Sequence, residues 1–145
     1  MMKNILVGFD FHKNMEVLVQ QSTELAGKFD SKIWLVHVAA PDPDFVGYEP
    51  GPQYIRDDRA TELKEEHKKL LEYADRISEK GIESEALLIQ GATVRMLLKE
   101  TEKLQIDLII LGRHEHGFLY NLFFENVSQK VSQKSDVPIL VIPLE

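Results

Sequence analysis

Five short apolar runs, rich in β-branched residues, occur along the chain and predict five strands. They lie at residues 5–9, 33–38, 86–89, 108–111 and 139–142. Most of these runs lack the alternation of apolar and polar positions that a half-exposed strand shows. Because strands covered by helices on both faces have this uniform apolar pattern, we expect a largely parallel sheet.

Apolar residues spaced three and four apart occur between these runs and predict four helices. The helical patterns cover residues 15–29, 63–77, 94–104 and 119–131. Gly81 follows the second pattern and is expected to end that helix. The predicted order of elements is therefore β-α-β-α-β-α-β-α-β.

This alternation predicts one α/β domain, residues 1–145, with an open, doubly wound, five-stranded parallel sheet and helices on both faces. We choose the Rossmann-like strand order 3-2-1-4-5 over the flavodoxin-like order 2-1-3-4-5. In the chosen order the winding reverses between strands 1 and 4, which leaves a crevice beyond their carboxyl ends. Asp10 and Gly112 follow these strands and are expected to meet at the crevice.

The longest connection, residues 40–56, contains four of the six prolines, two glycines and three aromatic residues. This composition predicts an irregular loop after strand 2, with no regular helix in it. One interpretation is a lid over a ligand, because the loop leaves strand 2 on the crevice side and its aromatic rings are available for stacking. The other is a surface loop whose rings pack on the domain or on a partner subunit.

Composition and charge exclude several classes of function. The 145 residues include 17 Lys+Arg, 24 Asp+Glu and no cysteine, and the formal net charge is −7. The most basic stretch, residues 64–69, interleaves Lys with Glu65 and Glu66 and is typical of a solvated helix face. We therefore expect no nucleic-acid partner, no thiol chemistry, no membrane segment and a cytoplasmic location.

Isolated polar residues in the predicted elements indicate no catalytic group. His37 lies in strand 2 and His67 on the apolar stripe of helix 2, so both are expected to be packed or hydrogen-bonded. Ser128 and Ser132 lie one turn apart on helix 4 in a pattern typical of a helix surface. An enzymatic activity is therefore the weaker hypothesis, at most a slow nucleotide hydrolysis.

An ordered series of motifs resembles the universal stress protein family. The motifs are Ile5-Leu-Val-Gly-Phe-Asp10-Phe, Trp34-Leu-Val-His-Val38, Gln90-Gly91, Asp107-Leu-Ile-Ile-Leu-Gly112-Arg-His114, Val127-Ser-Gln-Lys-Val131 and Asp136-Val-Pro-Ile-Leu-Val-Ile-Pro143. They cover the whole chain with the spacings expected in that family. The resemblance implies a stress-response binding or signalling module with an adenine-nucleotide site.

The resemblance also implies which residues line that site. Asp10 matches the acid that faces the base and ribose, Val38 a backbone contact from strand 2, and Gly91 the glycine before helix 3. The full candidate set is Asp10, Phe11, Val38, Gly91, Gly112, His114, Asn126 and Val127. Two structural alternatives remain open: Asp10 as a cap accepting from the N–H of residue 12 or 13, and Gly112 as a turn glycine.

The phosphate end of the implied site is degenerate. Nucleotide-binding members carry Gly-x-x-Gly, nine residues, and then Gly-Ser or Gly-Thr, so that backbone N–H groups approach the phosphates closely. On this chain the motif begins at Gly112, but its later positions are Glu115, Glu125 and Asn126. Each carboxylate near phosphate costs roughly 1–4 kcal/mol, which disfavours tight ATP binding. A weak adenosine or AMP site, or a nucleotide switch that takes ATP with Mg²⁺, is the alternative.

Histidines near the crevice suggest a metal hypothesis. His12 follows strand 1, while His114 and His116 follow strand 4, so they could converge with Asp10 and Glu115. A His-x-His pair with a third histidine suits zinc or a similar divalent ion. Solvated loop histidines are the alternative, and we assign no metal residue.

Strand 5 is expected at a sheet edge, where an apolar strand invites pairing with another chain. The resemblance implies a homodimer in which this strand pairs antiparallel across a two-fold axis, through Pro138, Ile139, Leu140, Val141 and Ile142. Flanking prolines limit the length of such a ladder, because proline has no N–H to donate. A monomer with a blunted edge is the alternative, and an unidentified protein partner is a further possibility.

Overall fold

The computed structural model describes residues 2–11, 14–39, 53–113 and 127–144, with the backbone alone for residues 53–56. The strands are β1 (Asn4–Gly8), β2 (Lys32–Ala39), β3 (Ser84–Gln90), β4 (Leu108–Arg113) and β5 (Ile139–Pro143). The helices are α1 (Met15–Phe29), α2 (Gln53–Glu79) and α3 (Thr93–Lys103), and residues 127–134 are helical and are called α4.

The five strands form one parallel sheet in the order β3-β2-β1-β4-β5, which confirms the predicted order. β1 pairs with β2 up to Gly8↔Val36 and with β4 up to Val7↔Ile110. Since all strands are parallel, their carboxyl ends lie at one edge of the sheet, here called the carboxyl edge, and their amino ends at the other, the amino edge. The winding reverses between β1 and β4.

Helices cover both faces of the sheet, as the uniform apolar runs predict. Along β1, Ile5 and Val7 belong to the core layer that packs against α1 and α2, whereas Leu6 belongs to the layer against α3 and α4. All three side chains are fully buried. Each such burial contributes about 1.5–3 kcal/mol, and this explains why β1 shows no polar alternation.

The predicted irregular loop over residues 40–56 is too long at its carboxyl end. α2 begins at Gln53, so residues 53–56 are helical. The physical reason is that a proline restricts the residue before it but is compatible with a helix that starts directly after it. Residues 40–52 lie outside the described residues, and with them the lid hypothesis. Gly81, with φ +85°, follows the end of α2 as predicted.

The buried face of α2 is rotated relative to the prediction. Glu66, expected in a solvated face, is half-buried, whereas His67, expected to be packed, is exposed. Glu66 lies seven residues before Tyr73 and therefore shares its helix face. Tyr73 packs on Phe9 at the end of β1, with ring centroids 4.8 Å apart, so this face points toward the carboxyl edge. None of the described helices is both long and apolar enough to span a membrane.

Candidate functional site

Five of the candidate residues lie at the carboxyl edge of four neighbouring strands. Asp10 and Phe11 follow β1, Val38 is the penultimate residue of β2, Gly91 directly follows β3, and Gly112 is the penultimate residue of β4. Parallel pairing of these strands brings residues together that are far apart in sequence. This edge is also where ligands bind in open α/β sheets.

Phe11 has an unusual backbone conformation directly after Asp10. Its φ is +63°, in the left-handed region that side chains other than Gly, Asn and Asp rarely adopt. Such a conformation costs on the order of 1–2 kcal/mol and persists where the surroundings hold it. Asp10 itself is half-buried, and its Oδ2 is shielded from solvent.

Aromatic rings hold the strained residue in place. The Phe11 ring meets the Phe9 ring at 4.8 Å between centroids and the His37 ring at 4.7 Å, both in edge-to-face geometry. Phe9 is 3% exposed and is part of the core. Edge-to-face pairs at these distances stabilise by about 0.5–1.5 kcal/mol beyond simple burial. The conformation of the Asp10–Phe11 segment therefore depends on side chains from β1 and β2.

His37 connects the end of β1 with α2. Its Nδ1 lies 2.7 Å from the carbonyl oxygen of Phe9, which only accepts, so Nδ1 carries the proton and donates. Its Nε2 lies 3.4 Å from Oε2 of Glu66 on α2. The expectation that His37 is hydrogen-bonded is confirmed. The imidazole is thus hydrogen-bonded to the residue after β1. This contact lies just beyond Gly8 and Val36, the last paired residues of β1 and β2.

Gly91 occupies a position that requires glycine. Its φ is +149°, and a Cβ atom would lie 2.7 Å from Cγ of Met96 on α3. Its N–H donates to the carbonyl oxygen of Ala39 at 3.1 Å, which continues the β2–β3 ladder past the strand. The bare backbone at Gly91 lies at the carboxyl edge beside the end of β2.

Gly112 lies inside β4 and not in the turn after it, so the predicted end of that strand is wrong by two residues. A Cβ atom at Gly112 would lie 2.4 Å from Cδ1 of Leu144. The absence of a side chain thus makes room for a core leucine that follows β5. The strand continues because Gly112 and Arg113 pair with β5.

The remaining candidates belong to α4 or lie outside the described residues. Val127 is half-buried and packs against the core layer on the α3 side. Ser128, expected on the helix surface, is 8% exposed, and its Oγ has no hydrogen-bond partner among the residues described; Ser132 is exposed as expected. The residues outside the described ranges are His12, His114, Glu115, His116, Glu125 and Asn126.

The metal hypothesis depends on residues that are not described. Of the proposed set, Asp10 alone falls within the described ranges. In those ranges no group of three or more His, Asp or Glu residues is arranged to hold a metal ion. The hypothesis therefore stays a prediction.

A charged cluster joins α1 to α2 next to this site. Arg76 donates two hydrogen bonds to Glu16, Nη1 to Oε1 at 3.0 Å and Nη2 to Oε2 at 2.7 Å. These hydrogen bonds lower the pKa of Glu16, whereas burial, and then the charge of Glu16, raises the pKa of Tyr73. An open cleft of about 410 Å³ lies between this cluster and Phe11.

Sequence reasoning missed two features of the site: the His37–Glu66 contact and the Phe11 conformation. The seven-residue spacing from Glu66 to Tyr73 is a usable signal for the first. The second has no signal in the sequence, since phenylalanine does not favour positive φ.

A third feature that sequence reasoning missed is Asn14. It begins α1 with φ +68°, and its Nδ2 donates to the carbonyl oxygen of Leu144 at 2.7 Å.

Comparisons with known proteins agree with this architecture. A family profile described as the Universal stress protein family matches residues 1–143. A Bacillus subtilis protein named "Universal stress protein YxiE" is 25% identical over 147 residues, which cover 98% of this chain and 99% of that protein. The structure of "Universal stress protein UspA from Lactobacillus plantarum" superposes with a TM-score of 0.80 at 14% identity, covering 97% of each chain.

Two further similar structures have ligands in their descriptions. One is a universal stress protein "in complex with cAMP", with a TM-score of 0.70, 16% identity, and coverage of 99% of this chain and 98% of that chain. The other, from Archaeoglobus fulgidus, is described "in complex with dAMP", with a TM-score of 0.62, 17% identity, and coverage of 98% and 99%. At these identities the similarity shows a shared fold.

Proposed function

Because the chain belongs to the universal stress protein family, we propose that it is a cytoplasmic, homodimeric stress-response binding module that takes adenosine or AMP and does not hold ATP tightly. The observation that carries the proposal is the convergence of Asp10, Val38 and Gly91 at the carboxyl edge of three adjacent strands. The ligand would bind in the crevice beyond these strands.

The chemistry of this edge suits the nucleoside part of a nucleotide. The Asp10 carboxylate accepts hydrogen bonds, and ribose hydroxyls and an exocyclic amine donate them. Because Asp10 is half-buried, hydrogen bonds to its carboxylate are stronger than at an open surface. Gly91 adds backbone without a side chain of its own at this edge, and Met96 fills the position that a Cβ atom would take. The monophosphates in the descriptions of two relatives, cAMP and dAMP, support this ligand class.

The triphosphate is disfavoured on the basis of the sequence. Glu115 and Glu125 replace two glycines of the phosphate motif, and their carboxylates would repel the β- and γ-phosphates. Adenosine has no phosphate, and AMP has one, so the same carboxylates penalise these ligands less. A site that takes ATP with Mg²⁺ is the outcome that would contradict this part of the proposal.

Calorimetric titration of metal-stripped protein with adenosine, AMP and ATP, with and without Mg²⁺, tests the ligand class. We expect adenosine and AMP to bind, with ATP weaker than AMP by about tenfold or more. Asp10→Asn is expected to weaken adenosine binding about tenfold, because a charged acceptor is lost. Asp75→Asn, an exposed position on α2, is the matched control and should change nothing. Micromolar ATP binding, or no binding of adenosine and AMP, contradicts the proposal.

A gain-of-function variant tests the explanation from the two carboxylates. The double substitution Glu115→Gly and Glu125→Gly restores glycine at both positions of the motif. We expect ATP affinity to rise by about tenfold or more while adenosine affinity stays the same. Unchanged ATP affinity would show that these carboxylates do not determine the ligand.

The homodimer rests on the exposed edge of β5. Leu140 and Val141 are each 38% exposed, an unusual exposure for large apolar residues of a strand. β5 pairs with β4 on one side, and among the described strands none pairs with its other side. We expect Val141→Lys to convert the dimer to a monomer in sedimentation experiments, because a charge opposes edge pairing. Lys134→Gln, an exposed change outside the edge, is the control.

A further inference from the structure

A neutral His37 can satisfy only one of its two partners. With the proton on Nδ1, the ring donates to the Phe9 carbonyl at 2.7 Å, but its Nε2 lone pair faces the Glu66 carboxylate. With the proton on Nε2, the ring donates to Glu66, but the Nδ1 lone pair faces the Phe9 carbonyl. Only the imidazolium presents an N–H to both acceptors. The imidazolium is therefore the form of the ring that can engage both groups at once.

The loss of either contact affects the segment that carries Asp10. Phe11 holds φ +63° with its ring packed edge-on against His37 and Phe9. The Phe9 carbonyl, which belongs to the residue just before Asp10, accepts the His37 hydrogen bond. The strained segment depends on these contacts. A His37 ring that contacts only one of its two partners therefore stabilises the segment less.

We propose that His37 is the positioning residue of the crevice, and that its protonation, by engaging Phe9 and Glu66 together, holds the Asp10–Phe11 segment in the conformation that binds adenosine. The proposal rests on the proposed function for its ligand. Binding then tightens at acidic pH and weakens as the ring loses its proton. Histidine is the side chain that ordinarily changes charge between about pH 5 and pH 8, so the test spans this range.

The charged groups around His37 are few among the residues described. From α2, Glu66 faces Nε2, and Arg59 and Glu62, earlier on the helix, are paired with each other at 3.1 Å. β3 places the uncharged Leu88 opposite His37 in register. In the segment that follows β1, the ionisable residue nearest in sequence to the Phe9 contact is Asp10. Glu66 is thus the ionisable group of these elements that is in ion-pair contact with His37.

Adenosine is the appropriate probe, because it has no group that titrates between about pH 5.5 and pH 8, whereas the phosphate of AMP titrates near pH 6. We expect its affinity to fall by about tenfold across this range, the equivalent of one hydrogen bond of a charged group. A wild-type affinity that does not change with pH would overturn the proposal.

Three variants separate positioning from general stability. In Glu66→Gln, the amide offers an acceptor to the charged ring and a donor to the neutral ring, so the pH dependence should flatten to less than about twofold. His37→Asn keeps a donor near the Nδ1 position but does not titrate, and should also remove the pH dependence. His67→Asn, an exposed histidine next to Glu66, should retain the wild-type pH profile. A steep profile in Glu66→Gln would contradict the mechanism.

NMR titration of the ligand-free protein distinguishes failure of this inference from failure of the proposed function. We expect the Phe11 amide resonance to shift with the His37 ring protons in one common transition. This coupling should disappear in Glu66→Gln. A Phe11 amide resonance that does not shift in the His37 transition overturns the positioning role, whether or not adenosine binds. A coupled transition without adenosine binding at any pH instead refutes the ligand and leaves the positioning of Phe11 established.

Discussion

The amino and carboxyl edges of the same sheet are constructed differently. At the amino edge, polar side chains serve as fixed partners for the backbone: Oδ2 of Asp107 accepts from the N–H groups of Lys3 and Asn4, each at 2.9 Å. At the carboxyl edge, Phe11 is strained and His37 has two acceptors for its ring nitrogens. One edge joins the strands, and the other positions residues around a crevice.

The amino edge also contains the tryptophan of the chain. Trp34 donates from Nε1 to Oδ1 of Asn4 at 3.2 Å, and the Lys32 ammonium lies 3.8 Å from the centre of its ring. Hydrogen bonding to Glu85 raises the pKa of Lys32, so the cation is retained. These contacts link β1, β2 and β3. Under the proposed function, the difference between the edges separates stability from ligand positioning along the strands, so substitutions should affect the two properties separately.

Trp34→Ala should have the largest effect on this separation. We expect a loss of about 2–3 kcal/mol in the free energy of unfolding, because a half-buried aromatic ring and its hydrogen bond are removed. Urea denaturation measures this loss. Adenosine affinity of the folded variant should stay unchanged. Trp34→Phe, which removes the N–H donor but keeps an aromatic ring, should lose about 1 kcal/mol. A large change in affinity would show that the edges are coupled.

Asp107→Ala should have the next largest effect. It leaves two backbone N–H groups without their shared acceptor, one of them half-buried, and should lower the free energy of unfolding by about 1–2 kcal/mol. Asp107→Asn keeps an acceptor oxygen and should lose less. Thermal unfolding of the three proteins side by side provides the measurement. Equal stability of Asp107→Ala and wild type would contradict the role of Asp107 as a fixed partner.

Phe11→Gly and Phe11→Ala form a matched pair at the carboxyl edge. Both remove the ring contacts, but glycine adopts φ +63° without the strain that alanine retains. We therefore expect the glycine variant to be more stable than the alanine variant by about 1 kcal/mol, and both to bind adenosine weakly. Chemical denaturation and calorimetry give the two quantities. An alanine variant at least as stable as the glycine variant would argue against positive φ at this position.

The smallest effect on stability is expected at the Glu16–Arg76 pair, which joins α1 to α2. The pKa of Glu16 is lowered from 4.5 by Arg76, so the pair contributes stability above that pH and loses it as pH falls through the lowered pKa. Both side chains are more than half exposed, and solvent screening limits the contribution to about 0.5 kcal/mol or less. Arg76→Met should therefore differ slightly from wild type at pH 7, and the difference should vanish once the pH is below the lowered pKa of Glu16. A difference that grows in acid would contradict this sign.

Local pattern was sufficient for most of the fold. The uniform apolar runs identified all five strands, and the Rossmann-like order chosen over the flavodoxin-like one was confirmed. The local pattern failed at the boundaries of elements and at the rotation of α2 about its own axis. The start of α2 at Gln53, directly after a proline, was missed, and the inclusion of Gly112 in β4 depends on pairing with β5, which is distant in sequence. The rotation of α2 that buries Glu66 and exposes His67 depends on which residues the ends of β1 and β2 present to it.

The candidate site divides in the same way. Asp10 was placed at the crevice because it follows a strand and parallel strands end together, whereas Val38 and Gly91 came from the family resemblance; in the structure all three end or follow strands. The His37 bridge was decided by tertiary contact: Phe9 lies 28 residues before His37 in the chain, and Glu66 is on a helix beyond a long connection. Periodicity reports which face of an element is apolar. It does not report which polar groups meet when two elements pack, since that depends on distances that exist only in the folded chain.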